Sequence, residues 1–161
     1  MPESLWLLVA GLLMFLYGSC AGYRYCRQLS VRGPLLLRHQ RNEVAWCQLV
    51  ADRLTASGEQ VLPEYCLPDR SRVDLLFADF ACEADWAPKW TEAVGQALFY
   101  AAMTERKPAI LLLLDGGTDD AVYLGRLARV VAYTSPSITV WTLDTVQGVL
   151  QRGTAPPFRV I

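Results

Sequence analysis

Three carboxylates stand close together around a short predicted turn, at Asp74, Glu83 and Asp85. A turn of two residues at 78–79 would place Asp74 opposite Glu83, with Cβ atoms roughly 4.5–5.5 Å apart. Asp85 follows Glu83 by two positions, so it shares the same face of the strand. Like charges this close need a cation, a shared proton or solvent. Mg²⁺ and Mn²⁺ prefer carboxylate oxygens as ligands, so the pattern predicts a divalent metal site.

The register of this hairpin decides whether the carboxylates meet. The two-residue turn also pairs Leu75 with Cys82, whereas a turn of three residues would move Glu83 to the opposite face from Asp74. The alternative to a metal site is a solvated sheet edge with ordinary exposed acids. Both interpretations stay open at the level of the sequence.

A polar stripe on the next predicted helix strengthens the metal interpretation. It contains Lys89, Glu92, Gln96 and Tyr100, at positions i, i+3, i+7 and i+11. The stripe begins just after the acidic strand, so its first residues are expected near the carboxylates. Lys89 is one of two lysines in the chain, and it would stabilise a developing negative charge or help a water molecule to lose a proton. The alternative is a lysine on the helix surface that pairs with a nearby acid.

Turn residues and hydrophobic periodicity predict the elements that position these side chains. In chain order they are a helix, three strands, a helix, a strand, a helix and a final strand. We expect them at 42–57, 60–67, 72–77, 80–86, 88–106, 109–114, 119–133 and 138–143. Thr118 is expected to cap the third helix, and the tail is expected to be a loop. This order predicts an α/β fold, in which an antiparallel meander is followed by parallel strands in a mixed sheet flanked by helices.

The arrangement resembles the PD-(D/E)XK, or restriction-endonuclease-like, nucleases. The resemblance covers about residues 43–142 and rests on Asp74 in the second strand, Glu83 in the third strand, and a helix that bears Gln96 and Tyr100. It implies a restriction-endonuclease-like α-β-β-β-α-β core, with Asp74 and Glu83 as catalytic residues that bind Mg²⁺ or Mn²⁺. Gln96 and Tyr100 match the helix signature of the RecB-like branch of this family.

Three other positions relate to the family less directly. Glu43 matches an acidic residue of the first helix that often adds a metal ligand. The family's lysine, two residues after the glutamate, is Asp85 here. The resemblance implies that Lys89, four residues later on the helix, replaces this lysine as a catalytic residue that assists the attacking water. Asp85 then becomes a supporting residue of the site.

Composition and charge exclude several other classes of protein. The chain has 161 residues, of which 53% are apolar and 19% charged, so a disordered protein is excluded. Residues 1–41 carry five arginines and one glutamate, and residues 42–161 carry ten basic and fifteen acidic side chains. The acidic folded part is not a basic nucleic-acid-binding domain of the usual kind. Five cysteines without a CxxC pair and one histidine do not match a Cys/His zinc site.

The amino-terminal segment has the composition of a membrane anchor. Residues 4–23 contain no charge, and a helix over 5–23 would span roughly 28 Å, close to the hydrocarbon core of a bilayer. The five arginines of a basic juxtamembrane linker at 24–41 place the chain after the anchor in the cytoplasm by the positive-inside rule. Alternatives are a cleaved signal peptide, a lipoprotein signal that uses Cys20, and a buried soluble helix.

These observations predict three parts: a transmembrane anchor at 1–23, the linker at 24–41 and a nuclease-like domain at 42–161. The expected protein is a single-pass protein of the bacterial inner membrane whose cytoplasmic domain hydrolyses phosphodiester bonds with the help of a metal. Its expected partners are nucleic acid, DNA more than RNA, and the membrane, through residues 5–23. The alternative is a nuclease fold without activity that serves as a membrane-tethered module for interaction with protein or nucleic acid.

Overall fold

The computed structural model describes residues 29–30 and 42–153. Within these residues lie three α-helices: α1 (Glu43–Ala56), α2 (Trp90–Thr104) and α3 (Asp120–Val131). The described strands are β1 (Leu29–Ser30), β2 (Val61–Cys66), β3 (Arg72–Phe77), β4 (Phe80–Trp86), β5 (Lys107–Leu114), β6 (Thr139–Asp144) and β7 (Val149–Arg152). A short 3₁₀ turn at Ala87–Lys89 leads from β4 into α2.

The strands form one mixed sheet in the order β1-β7-β6-β5-β4-β3-β2. β2, β3 and β4 form an antiparallel meander, whereas β4, β5 and β6 run parallel to one another. Parallel neighbours need a crossover, and α2 and α3 provide the two crossovers from β4 to β5 and from β5 to β6. The expected α/β fold, with a mixed sheet flanked by helices, is therefore confirmed.

The central strand β5 lies at the middle of the hydrophobic core. Its segment 110–113 has no solvent-exposed surface, as expected for an apolar strand that is covered on both faces. α1 packs Trp46 and Leu54 into one core cluster, while α2 and α3 contribute Ala97 and Leu127 to another. These layers fix the neighbouring strand β4, which carries Glu83 and Asp85.

The strand β7 differs from the sequence-based prediction, which expected the tail of the chain to be a loop. Val149–Arg152 pairs antiparallel with β6 on one side and with β1 on the other. Arg152 fastens this strand, because its guanidinium lies 4.4 Å from the centre of the Trp141 ring and its Nη2 donates to Glu59 Oε1 at 2.8 Å. A four-residue strand that ends in an arginine has no apolar run, so hydrophobic periodicity does not identify it.

The start of α3 also differs from the expectation. Thr118 is not the N-cap of this helix, since that position is occupied by Asp119, whose side chain makes no capping hydrogen bond. The Asp120 carboxylate instead accepts the main-chain N–H of Gly116 at 2.9 Å. A side chain within the helix therefore fixes the loop that precedes it.

The described residues include no helix that is long and apolar enough to cross a membrane. The transmembrane anchor predicted at 1–23 lies outside them, as does the basic linker at 24–41 except for the two residues of β1. The end of the chain, 154–161, also lies outside the described residues.

Candidate active site

β3 and β4 pair only near the turn that joins them. Leu75 lies opposite Cys82, which confirms the register predicted for a two-residue turn, and the ladder stops at this pair. β4, in contrast, pairs with β5 along its whole length. Asp74 and Glu83 would be the next pair in this register, and the strands β3 and β4 therefore diverge at these two residues.

The Asp74 carboxylate lies between the diverging strands. Its Oδ2 accepts the main-chain N–H of Ala84 at 2.8 Å. The Asp74 and Glu83 carboxyl groups also form a side-chain hydrogen bond with each other. Such a bond requires that one of the two groups keeps a proton. The fold thus brings together the two carboxylates that the sequence placed opposite each other.

Burial keeps this proton on Glu83 at neutral pH. Glu83 is only 6% exposed, and desolvation, followed by the negative charge of Asp74, raises its pKa to about 9. Desolvation also raises the pKa of Asp74 to about 6, although the bond from the Ala84 N–H acts in the opposite direction. Among the described lysines and arginines, none forms an ion pair with either carboxyl group.

α2 adds an amide to the carboxyl pair. With its side-chain nitrogen turned toward the sheet, Gln96 donates to Glu83 Oε2 at 3.2 Å and also contacts Oε1. Tyr100, one helical turn later, is buried in a small cluster with residues of β3 and β4. Desolvation and the negative charges of Glu83 and Asp74 raise the pKa of Tyr100 to about 12, so the phenol keeps its proton.

Lys89 forms a second group with Asp85 and Glu43. Its Nζ donates to Glu43 Oε1 at 3.2 Å and lies 3.4 Å from Asp85 Oδ1. The hydrogen bond to Glu43 raises the pKa of Lys89 above its ordinary value. Asp85 is buried and accepts the Trp86 N–H at 2.8 Å, while desolvation and the charge of Glu43 raise its pKa to about 6. Lys89 is therefore a cation engaged by two carboxyl groups.

Glu64 is a further carboxylate near the site that the sequence analysis did not identify. The pairs Val61–Phe77 and Tyr65–Val73 place it opposite Asp74, and its φ of +53° interrupts the ladder at this position. Its negative charge contributes to the raised pKa of Asp74. Strand alternation alone does not predict Glu64 at the site, because the sequence of the connection at 67–71 does not fix the register between β2 and β3.

The site offers oxygen ligands of the kind that Mg²⁺ and Mn²⁺ bind. Over residues 42–153, however, no group of three His, Cys, Asp or Glu side chains is placed to hold a metal ion. Asp74 and Glu83 form a set of two carboxyl groups, and Glu43, the predicted third ligand, pairs with Lys89. Two carboxylates together with water and substrate phosphate are a common coordination sphere for Mg²⁺.

Comparisons with known proteins add no family to this description. No protein family, curated protein or solved structure matches the chain. The functional interpretation therefore depends on the geometry and chemistry of the residues described above.

Proposed function

We propose that this chain is a membrane-anchored, metal-dependent nuclease that hydrolyses phosphodiester bonds of nucleic acid. The observation that carries the proposal is that half-buried Asp74 and buried Glu83 lie side by side where β3 and β4 part, and form no ion pair with a described lysine or arginine. Burying two acids side by side costs free energy, and carboxyl groups with strongly raised pKa values cluster at functional sites. A divalent cation would take the place of the shared proton.

The donor chemistry fits Mg²⁺ or Mn²⁺. Asp74 and Glu83 would hold the ion, and Glu43 would join them after release from Lys89. When bound, the ion supplies an activated water molecule and neutralises charge that develops on the phosphate. Because both carboxyl groups already touch, loss of the shared proton leaves two negatively charged oxygen donors at one place.

The protein's own residues supply orientation and charge. Gln96 fixes the Glu83 carboxyl group by hydrogen bonding. Hydrolysis forms a bond from a water oxygen to phosphorus, and this water loses a proton to solvent. One phosphorus–oxygen ester bond breaks, and its leaving oxygen gains a proton from solvent. Lys89 keeps its proton at neutral pH, because Glu43 and Asp85 raise its pKa. It is therefore suited to stabilise the developing negative charge and not to remove a proton from water.

The fold supports the same proposal. α1, β2, β3, β4, α2 and β5 follow one another in the order of the restriction-endonuclease-like core. The two proposed metal ligands lie on β3 and β4, the second and third strands of this core. Gln96 also contacts Glu83, which supports a role for this helix in the proposed site.

The proposed location of the protein rests on the sequence alone. Residues 5–23 would anchor the chain in the bacterial inner membrane, and the arginines at 24–41 would keep the domain on the cytoplasmic side. The arginines would also hold anionic lipid. Nucleic acid, with DNA ahead of RNA, is the substrate class that the proposed chemistry implies.

One observation favours a second candidate function. The position of the family's lysine holds Asp85, and Lys89 is bound by both Asp85 and Glu43. A nuclease fold whose only nearby lysine is held in this way would lack the cation for catalysis. The domain would then be a membrane-tethered interaction module that binds a protein or nucleic acid without cleaving it.

The test uses the full chain, purified in a non-ionic detergent, with DNA and RNA in single- and double-stranded form. We expect cleavage that depends on Mn²⁺ or Mg²⁺, that Asp74→Asn abolishes and that Asp52→Asn, at an exposed position of α1, leaves intact. Thermal unfolding gives a second readout, because Mn²⁺ at about 100 times its Kd stabilises the folded state by about 2.7 kcal/mol. Mn²⁺ binding without cleavage of any substrate would support the interaction module. Cleavage that survives Asp74→Asn would refute the proposed site.

A further inference from the structure

Carboxylates crowd the candidate site, so a polyanionic substrate needs a cation there to approach. They are Glu43, Glu64, Asp74, Glu83 and Asp85. Lys89 is already engaged by two of them. Among the residues that the structure describes, Arg72, at the start of β3, is a second cation beside this group.

Arg72 lies on the face of β3 that carries Asp74. The two residues are two positions apart, and alternate side chains of a strand leave the same face. Arg72 Nη1 lies 3.0 Å from Glu64 Oε2, while 63% of the arginine side chain is exposed. Its positive charge also acts on Tyr100 of α2. The guanidinium therefore stands beside the site and remains open to solvent.

Glu64 holds Arg72 from an unusual backbone position. Its φ of +53° lies in the left-handed region, which a residue other than glycine adopts only at a cost in free energy. The β2–β3 register places Glu64 opposite Asp74 and therefore diagonal to Arg72, a separation that long side chains bridge. Strained backbone conformations of this kind are found preferentially at functional sites.

We infer that Arg72 binds a backbone phosphate of the nucleic acid at this site, and that Glu64 is a replaceable counter-ion that holds Arg72 in place before substrate binds. The inference rests on the proposed function. The planar fork of an arginine matches phosphate oxygens in bidentate geometry. The ion pair is weak, because most of the Arg72 side chain is exposed to solvent, so a phosphate can displace Glu64.

The experiment measures binding of a fluorescent double-stranded DNA to the full chain in detergent, at several salt concentrations. Ca²⁺ replaces the other metals, and gel electrophoresis checks that the DNA stays intact. We expect Arg72→Gln to reduce the slope of log affinity against log salt by about 1, the change for one lost phosphate contact. Glu64→Gln is expected to raise the affinity about two- to fivefold, the worth of an exposed ion pair.

Two further variants make the result specific. Arg53→Gln removes an exposed charge in the last turn of α1, whereas Glu43 lies in the first turn. We expect this variant to leave the DNA affinity and the salt slope unchanged. Arg72→Lys keeps the charge without the fork, so we expect it to retain the salt slope but to bind more weakly than the unaltered chain.

The outcomes separate this inference from the proposed function. If the unaltered chain binds and cleaves DNA and Arg72→Gln binds with the same salt slope, the inference fails while the nuclease stands. If Glu64→Gln and Arg72→Gln both lower the unfolding temperature and neither changes DNA affinity, the pair only joins β2 to β3 and the inference again fails. A chain that neither binds nor cleaves nucleic acid overturns both.

Discussion

Asp74 Oδ2 accepts the main-chain N–H of Ala84 at 2.8 Å, so a side chain closes the gap where two strands of the sheet part. Ala84 is buried, and a buried N–H without a partner costs the free energy of its lost hydration. One carboxyl group thus serves both the sheet and the candidate site. The second oxygen is left for Glu83 or for a ligand.

Two substitutions of Asp74 separate these roles. Asp74→Ala and Asp74→Asn both remove the charge, but asparagine keeps an oxygen that can accept the Ala84 N–H. We expect Asp74→Ala to have a free energy of unfolding about 1–3 kcal/mol below that of Asp74→Asn, and both variants to lose Mn²⁺ binding. Urea denaturation and Mn²⁺ titration measure the two effects. Equal stability of the two variants would contradict the structural role of the carboxylate.

Glu83 makes the stability of the domain depend on pH. Its pKa is about 9 in the folded protein, against an ordinary value of 4.5. Between these values the folded state binds a proton that the unfolded state has lost. The free energy of unfolding therefore falls as the pH rises from about 5 to 9. Asp74 and Asp85, whose pKa values are raised to about 6, add to this fall at its acidic end.

Glu83→Gln tests the assignment of this dependence, because glutamine can donate to Asp74 and has no proton to lose. At pH 8 we expect the variant to exceed the unaltered chain in stability by at least about 1.4 kcal/mol, the equivalent of one pKa unit. Urea denaturation at a series of pH values measures the effect. Glu92→Gln, at an exposed position of α2, is the control. A steep pH dependence that persists in Glu83→Gln would locate the shifted group elsewhere.

The two lysines of the chain provide a matched pair. Lys89 stands between Asp85 and Glu43, whereas Lys107 lies at the start of β5, 5.8 Å from the centre of the Phe80 ring. We expect Lys89→Met to lower the rate of metal-dependent cleavage about 100-fold, the typical loss of one stabilising group. Its stability should change by less than about 1 kcal/mol, because half of the Lys89 side chain is exposed and solvent screens its charge. Equal rates for Lys89→Met and Lys107→Met would remove Lys89 from the reaction.

Arg152 ties the late strand β7 to the rest of the fold. Its guanidinium stacks on Trp141 and on Phe77, whose ring centre is 5.1 Å away, and it pairs with Glu59. We expect Arg152→Met to lower the free energy of unfolding by about 2 kcal/mol, because cation–π and ion-pair contacts are lost together. Arg129→Met, an exposed position of α3, is the control. A double-mutant cycle with Glu59→Gln that gives no coupling would contradict the ion pair.

The central hairpin could be predicted closely from the sequence because its signals are local. β3 and β4 have the expected bounds, and the two residues between them set the register that brings Asp74 to Glu83. Glu64 could not be predicted, since its place depends on a φ of +53° that glutamate does not signal. β7 depends on Arg152 reaching Glu59, 93 positions earlier in the chain, and such a pairing leaves no periodic pattern.

Because the ladder between β3 and β4 is short, the β2–β3 hairpin should open more readily than the rest of the sheet. β5 is paired along its length on both sides, whereas β2 and β3 join the rest of the sheet through few main-chain bonds. Amide hydrogens of β2 and β3 should therefore exchange with deuterated solvent long before those of β5. Asp74 and Glu83 stand on opposite sides of this boundary, so a metal bound to both would slow exchange throughout the β2–β3 hairpin, at amides far from the ion itself.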